Sequence, residues 1–124
     1  MTSRLTNIVI DAADPASLAR FWCSVLGWEV AEESSEGVSI AAPDGAWPVI
    51  DLLPVPEAKA GKNRLHLDLR ADGTSTSDEL QRLVGLGAST VDVGQSSDVT
   101  WVVLADPEGN EFCLLSTSVQ DLAP

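Results

Sequence analysis

Residues 62–70, KNRLHLDLR, carry the pattern on which the predicted fold depends. Polar and apolar side chains alternate strictly along them, as they do in a β-strand with one buried face. The face predicted to lie in a core carries Leu65, Leu67 and Leu69. The opposite face carries Arg64, His66 and Asp68. His66 is the only histidine of the chain, with a cation and a carboxylate two residues away on either side, so this face is either a functional surface or an ordinary solvated one.

The length and charge of the chain limit its class. It has 124 residues and a formal net charge of −12, which suits one domain and disfavours nucleic acid or an anionic membrane as a partner, because both would repel it. The sequence shows neither a signal peptide nor an apolar run of membrane-spanning length, so we expect a cytoplasmic protein. The two cysteines, Cys23 and Cys113, are expected to be reduced thiols. The expected partner is a small molecule or another protein.

The first half of the chain is predicted to contain a strand, a helix and three further strands. The first strand covers residues 4–11. Asp14, followed by a proline, is predicted to cap a helix that ends at Gly27. The three further strands are predicted at residues 28–33, 37–42 and 49–53. Residues 54–63 are rich in proline, alanine, glycine and lysine, lack periodicity, and are predicted to be a linker.

The same order of elements returns after the linker. The predicted elements are a strand at residues 65–70, a helix at about 75–86, and strands at 88–93, 99–105 and 111–116. Each helix ends in Leu-Gly, and related Pro-x-Gly turns occur at residues 43–45 and 107–109. The chain is therefore predicted to be an α+β protein with two tandem βαβββ modules, 4–53 and 64–116, in a single domain 1–124. Two such curved sheets would form a cup-shaped mixed sheet.

These motifs resemble those of the vicinal oxygen chelate (VOC) superfamily, which includes glyoxalase I, extradiol dioxygenases and bleomycin-resistance proteins. The resemblance rests on residues 7–28, which contain Leu-Ala-Arg-Phe-Trp and Leu-Gly-Trp, on residues 62–69, and on Asp-Pro-Glu-Gly-Asn-Glu-Phe at residues 106–112. It is strongest to the glyoxalase-like subgroup. It implies paired βαβββ modules, usually in a homodimer, with a site inside the cup.

The resemblance also implies four inward positions that hold a divalent ion in the metal-using members, normally with histidine and glutamate. In this chain these positions carry Asn7, Asp51, His66 and Cys113, so His66 alone keeps the family residue. Glu111 lies two residues before Cys113, on the same face of its predicted strand. Asparagine is a weak ligand, and a cysteine beside one histidine and one aspartate favours a softer ion such as zinc. The candidate metal ligands are thus His66, Asp51 and Cys113, and the candidate catalytic residues are His66 and Glu111.

Further side chains are candidates for holding a ligand. Trp47 and Trp101 would stack on a planar molecule in a concave site, or pack within the sheets in the ordinary way. Arg64 would pair with a substrate carboxylate or with Asp68. The candidate ligand-binding residues are Asn7, Trp47, Arg64, Asp68 and Trp101. Cys113 acting as a nucleophile with His66 as its base is a further arrangement that the sequence allows.

Two functional hypotheses follow. In the first, a glyoxalase-like VOC protein binds a planar or cationic small molecule in the cup, as in bleomycin-resistance-type sequestration, without chemistry and without a cofactor. In the alternative, a metal-dependent lyase, isomerase or dioxygenase uses His66 with Asp51 or Glu111 around a divalent ion such as Zn, Ni, Mn or Fe. Both hypotheses expect a small-molecule ligand and a homodimer, and the sequence leaves open whether the protein is an enzyme.

Overall fold

The computed structural model describes residues 1–91 and 101–122, which fall into two compact units, Met1–Ala58 and Lys59–Pro124. Within the described residues, each unit contains one α-helix and one four-stranded mixed sheet. The predicted α+β class is therefore confirmed. Neither helix in this part of the chain has the length and apolar composition that a membrane crossing requires.

The first unit consists of five elements in a β-α-β-β-β order. They are β1 (Asn7–Ala12), α1 (Pro15–Leu26), β2 (Glu29–Ser34), β3 (Gly37–Ala41) and β4 (Val49–Pro54). The strands lie in the sheet order β1-β4-β3-β2, with β1 parallel to β4 and the other pairs antiparallel. Helix α1 packs on β3 and β4, so one sheet face is covered and the other is open.

Helix α1 begins and ends where the sequence predicts. The Asp14 carboxylate accepts a hydrogen bond from the Ser17 amide at 3.2 Å, which satisfies one of the free N–H groups of the first turn. Gly27 takes the left-handed conformation, with φ of 70°, and donates to the Cys23 carbonyl. The buried stripe of α1 consists of Leu18, Ala19, Phe21, Trp22 and Val25. It packs against the apolar face of the first sheet, where Ile50 and Leu52 are almost fully buried.

The second unit repeats this order. Its elements are β5 (Leu67–Leu69), α2 (Thr76–Leu86), β6 (Ser89–Thr90), β7 (Trp101–Ala105) and β8 (Glu111–Leu115). The sheet order is β5-β8-β7-β6, with β5 parallel to β8 and the other pairs antiparallel, as in the first unit. The repeat of βαβββ modules predicted from the sequence is therefore confirmed in the strand topology. Ser75 caps α2 through a 3.0 Å hydrogen bond from the Asp78 amide.

The predicted Asp-Pro-Glu-Gly-Asn turn joins β7 to β8. Asp106 is 2% exposed, and its Oδ1 atom accepts hydrogen bonds from the amides of Glu108 and Asn110, both at 2.9 Å. Gly109 has φ of 89°, a conformation that glycine adopts without steric cost. The buried carboxylate therefore fixes the turn and, with it, the starting position of β8.

The key strand differs from its prediction. β5 pairs with β8 only over Leu67–Leu69, and Leu65 is 89% exposed instead of buried. Alternation specifies a face only where a ladder holds the backbone, and residues 62–66 precede the ladder. β1 also starts at Asn7 and not at residue 4. Parts of the predicted strands 88–93 and 99–105 fall on residues 92–100, outside the described residues.

Candidate functional site

The open face of the second sheet holds the candidate site. Phe112 and Leu114 of β8 point into the core, so the residues between and beside them point to the opposite face. Strand pairing places Asp68 of β5 and Val103 of β7 on either side of Cys113. A cavity of about 360 Å³ lies on this face. Its lining consists of Lys62, His66, Asp68, Trp101, Val103, Glu111, Cys113 and Leu115.

Three lining residues form a compact cluster. One ligand-type atom from each of His66, Asp68 and Cys113 lies within 4.8 Å of the others. The Nε2 atom of His66 is 3.6 Å from Oδ1 of Asp68, and these two side chains are 45% and 49% exposed. Cys113, by contrast, is only 6% exposed at the bottom of the cavity.

The Cys113 thiol is held in its protonated form. Burial raises its pKa above the ordinary value, and the charge of Asp68 and a hydrogen bond to that carboxylate raise the pKa further. The charge of Lys62 acts in the opposite direction but does not reverse the shift. A thiol with a raised pKa carries little thiolate at neutral pH, so the arrangement does not favour a Cys113 nucleophile.

Glu111 serves as an attachment point for the segment before β5. Its Oε1 atom accepts a 3.0 Å hydrogen bond from Lys59 Nζ, and its Oε2 atom accepts a 3.2 Å bond from the Asn63 amide. Burial by itself would raise the pKa of Glu111, but the hydrogen bonds, that from Lys59 foremost, bring the pKa below its ordinary value. With both oxygens engaged, this carboxylate fits a structural role better than that of a catalytic base.

The first unit contains a polar cluster of its own. Asp51 accepts hydrogen bonds from Asn7 Nδ2 at 2.9 Å and from Ser39 Oγ at 2.5 Å. Pairing of β4 with β1 and β3 brings these residues together on the open face of the first sheet. Sequence reasoning missed Ser39, although its place between the buried Val38 and Ile40 indicates that face. The predicted convergence of Asn7 and Asp51 with residues of the second unit stays a prediction.

The other predicted ligand-binding residues are placed as follows. Trp101 is 38% exposed and lines the cavity. Trp47 is 57% exposed, and the Arg4 guanidinium carbon lies 5.0 Å from its ring centroid, within the range of a cation–π contact. Arg64 is exposed and is not among the lining residues. The Asp68 carboxylate lies 3.6 Å from His66, and within the described residues it forms no ion pair with Arg64.

The cluster of His66, Asp68 and Cys113 has the donor chemistry of a metal site. Metal–ligand distances of about 2.0–2.3 Å around zinc correspond to ligand atoms about 3–4 Å apart, so small side-chain rotations would bring the three donors to one ion. Nitrogen, carboxylate and thiolate donors suit zinc better than magnesium. The residues therefore fit a divalent ion. Asp68 was predicted to bind ligand, yet the His-x-Asp spacing on one strand face also indicates its place in this cluster.

Comparison with solved structures shows the same fold. A glyoxalase/bleomycin resistance protein/dioxygenase family enzyme from Burkholderia phytofirmans matches at 17% identity and a TM-score of 0.67, over 90% of this chain and 97% of that chain. The fosfomycin resistance protein FosX from Mesorhizobium loti matches at 14% identity and a TM-score of 0.70, over 97% of each chain.

A mutant of FosX from Listeria monocytogenes, complexed with Mn(II) and 1S,2S-dihydroxypropylphosphonic acid, matches at 12% identity and a TM-score of 0.70, over 98% of this chain and 95% of that chain. At these identities the similarity shows the fold alone. No curated protein matches the sequence. The family model of the glyoxalase-like domain matches residues 7–115, nearly the whole length. The chain therefore belongs to the glyoxalase-like family, with the fold of the VOC superfamily.

Proposed function

We propose that this protein binds a small molecule in the cavity of the second unit. The observation that carries the proposal is the cavity itself, whose volume of about 360 Å³ lies in the range of known ligand pockets. Val103 and Leu115 give it an apolar surface, and Trp101 adds an indole face. His66 and Lys62 supply polar groups that would orient a ligand. A mostly apolar pocket with a few polar groups is the usual form of a ligand site.

Binding without chemistry is the version that the side chains favour. Glu111 is engaged by Lys59 and Asn63, so it is poorly placed to take a proton from a ligand. The raised pKa of Cys113 keeps its thiol protonated and weakly nucleophilic. Sequestration of the bleomycin-resistance type therefore remains the first functional proposal, and its binding site is assigned to the open face of the second sheet.

The experiment is calorimetric titration with planar aromatic probes, 2-naphthoate and its neutral amide. We expect measurable binding, and we expect Trp101→Ala to weaken it by about tenfold, since aromatic contacts contribute about 0.5–1.5 kcal/mol beyond area burial. Val84→Ala on α2 removes an exposed apolar side chain that does not line the cavity, and it should leave binding unchanged. Absence of heat with both probes, or equal effects of the two substitutions, would contradict the proposal.

A metal-dependent enzyme is the second candidate. Its specific support is the cluster of His66, Asp68 and Cys113, whose donor atoms lie within 4.8 Å of one another. A divalent ion there would supply Lewis-acid activation of a bound oxygen. The residues of the chain would hold the ion, with Asp68 keeping the imidazole of His66 in place.

The homodimer is proposed from the resemblance alone. Sedimentation velocity at several protein concentrations tests it directly, because a dimer of fixed mass should persist on dilution if the interface is stable. A single species with the mass of one chain would contradict this part of the proposal.

A further inference from the structure

The charges around the cavity differ from the charge of the chain as a whole. The protein carries a formal net charge of −12, yet both carboxylates that line the cavity have a partner. Glu111 pairs with Lys59 at 3.0 Å. Asp68 lies 3.6 Å from His66 and accepts the hydrogen bond from Cys113. The acidity of the protein is therefore not concentrated as free carboxylates in the cavity lining.

Lys62 differs from the two carboxylates of the lining because it lacks a polar partner in the described part of the chain. It is exposed at the cavity, and among residues 1–91 and 101–122 it takes part in no hydrogen bond or ion pair. Lys62 therefore contributes an ammonium group to the cavity lining, without an ion-pair partner among the described residues.

The position of Lys62 is set by the hydrogen bonds that its neighbours Lys59 and Asn63 donate to Glu111. Lys59 and Asn63, on either side of Lys62, are both bonded to that carboxylate, one through Nζ and one through its backbone amide. Lys59 Nζ also donates to the Gly61 carbonyl, and Gly61 has φ of 73°, so the intervening turn is closed on itself. The backbone that carries Lys62 is therefore held against the rim of the cavity before any ligand arrives.

We propose that the cavity selects small molecules that carry a carboxylate or a similar anionic group beside a planar apolar body, and that Lys62 binds the anionic group. The inference rests on the proposed binding function and narrows it. The apolar body would lie on Trp101, Val103 and Leu115, and the ammonium would donate charge-assisted hydrogen bonds to the anion. This replaces the expectation of a cationic ligand, because Lys62 would repel a cation. Both lining carboxylates also already accept hydrogen bonds within the protein.

The test uses three probes of one shape and different charge: 2-naphthoate, 2-naphthamide and 2-naphthamidine. Calorimetry should rank the anion first, about tenfold tighter than the amide, as one hydrogen bond to a charged group predicts. Lys62→Gln should bring the affinity for the anion down to about that for the amide, while Lys62→Arg should keep most of the tenfold difference. Arg20→Gln, on the exposed side of α1, removes the same charge and serves as the control.

Equal affinities for the three probes, a preference for the amidine, or a Lys62→Gln variant that weakens all three alike would overturn anion selection while leaving the binding function standing. Loss of the anion's advantage in Arg20→Gln as well would overturn the assignment to Lys62, because the effect would then come from net charge. No binding of any probe would overturn the proposed function, and the inference with it.

Discussion

Asp68 and Cys113 lie directly opposite each other across β5 and β8, and the Cys113 thiol is hydrogen-bonded to the Asp68 carboxylate. The same register brings His66, one residue before the ladder, to the edge of the pair. A shift of one residue in the pairing of β5 would place Asp68 on the helix-covered face, away from Cys113. The three-residue ladder of β5 therefore determines both the chemistry of the thiol and the only grouping of metal-type donors found in the described residues.

The reactivity of Cys113 tests the contact with Asp68. In a Cys23→Ala background, where Cys113 is the only thiol, Asp68→Asn should speed alkylation by iodoacetamide several-fold at mildly alkaline pH. The reason is that the charge and hydrogen bond of Asp68 raise the pKa of Cys113, so their removal increases the thiolate fraction. Rates measured across a pH series should show an earlier rise in the variant. Glu57→Gln, which removes an exposed carboxylate elsewhere, should follow the parent curve, and an unchanged Asp68→Asn curve would refute the contact.

Metal binding by the cluster has a spectroscopic signature that does not depend on activity. If the second candidate function is right, Co(II) added to the reduced protein should give thiolate-to-metal absorption in the near ultraviolet. Cys113→Ser should abolish that band, and His66→Gln should weaken binding by at least about tenfold, since each removes one of three donors. Asp51→Asn in the first unit should have no effect if the ligands are these three. A band lost in Asp51→Asn instead would restore the ligand set inferred from the family resemblance.

The different burial of Leu114 and Leu65 can be tested by alanine substitution. Leu114 is 1% exposed in the core of the second unit, so Leu114→Ala should cost about 2–5 kcal/mol in the free energy of unfolding. Leu65 is 89% exposed, so Leu65→Ala should cost less than about 0.5 kcal/mol. Urea denaturation measures both. Similar costs at the two positions would mean that residue 65 is buried, as its alternating pattern suggests.

The difference between predicted and observed structure follows from what each pattern can specify. The two modules, both helix ends and the Asp106 turn were predictable, because capping carboxylates, glycines and hydrophobic period act locally. The length of β5 was not, since alternation continues through residues 62–66 although pairing with β8 stops. The hydrogen bond from Lys59 to Glu111 could not be predicted either, because it joins side chains 52 residues apart and Lys59 lies in a segment without periodicity.

The hydrogen bonds that Glu111 accepts from Lys59 and Asn63 should make stability depend on pH. The pKa of Glu111 is lower in the folded protein than its ordinary value of 4.5, so its ionised form stabilises the fold. This contribution should be complete above the unfolded-state pKa and lost as the pH falls through the folded-state pKa. Near neutral pH, Glu111→Gln should therefore cost about 1–3 kcal/mol, as expected for hydrogen bonds to a charged group.

The same variant should unfold with a weaker dependence on acid, and its stability should approach that of the parent once the parent carboxyl is protonated. A double-mutant cycle with Lys59→Met isolates the ion pair from other effects of each change, because it measures only their coupling. Since the hydrogen bonds to Glu111 also hold the backbone of Lys62 at the cavity, Glu111→Gln should reduce 2-naphthoate affinity more than 2-naphthamide affinity. A variant that loses stability at all pH values alike, with both probes bound as before, would show that Glu111 neither titrates with folding nor positions the lysine.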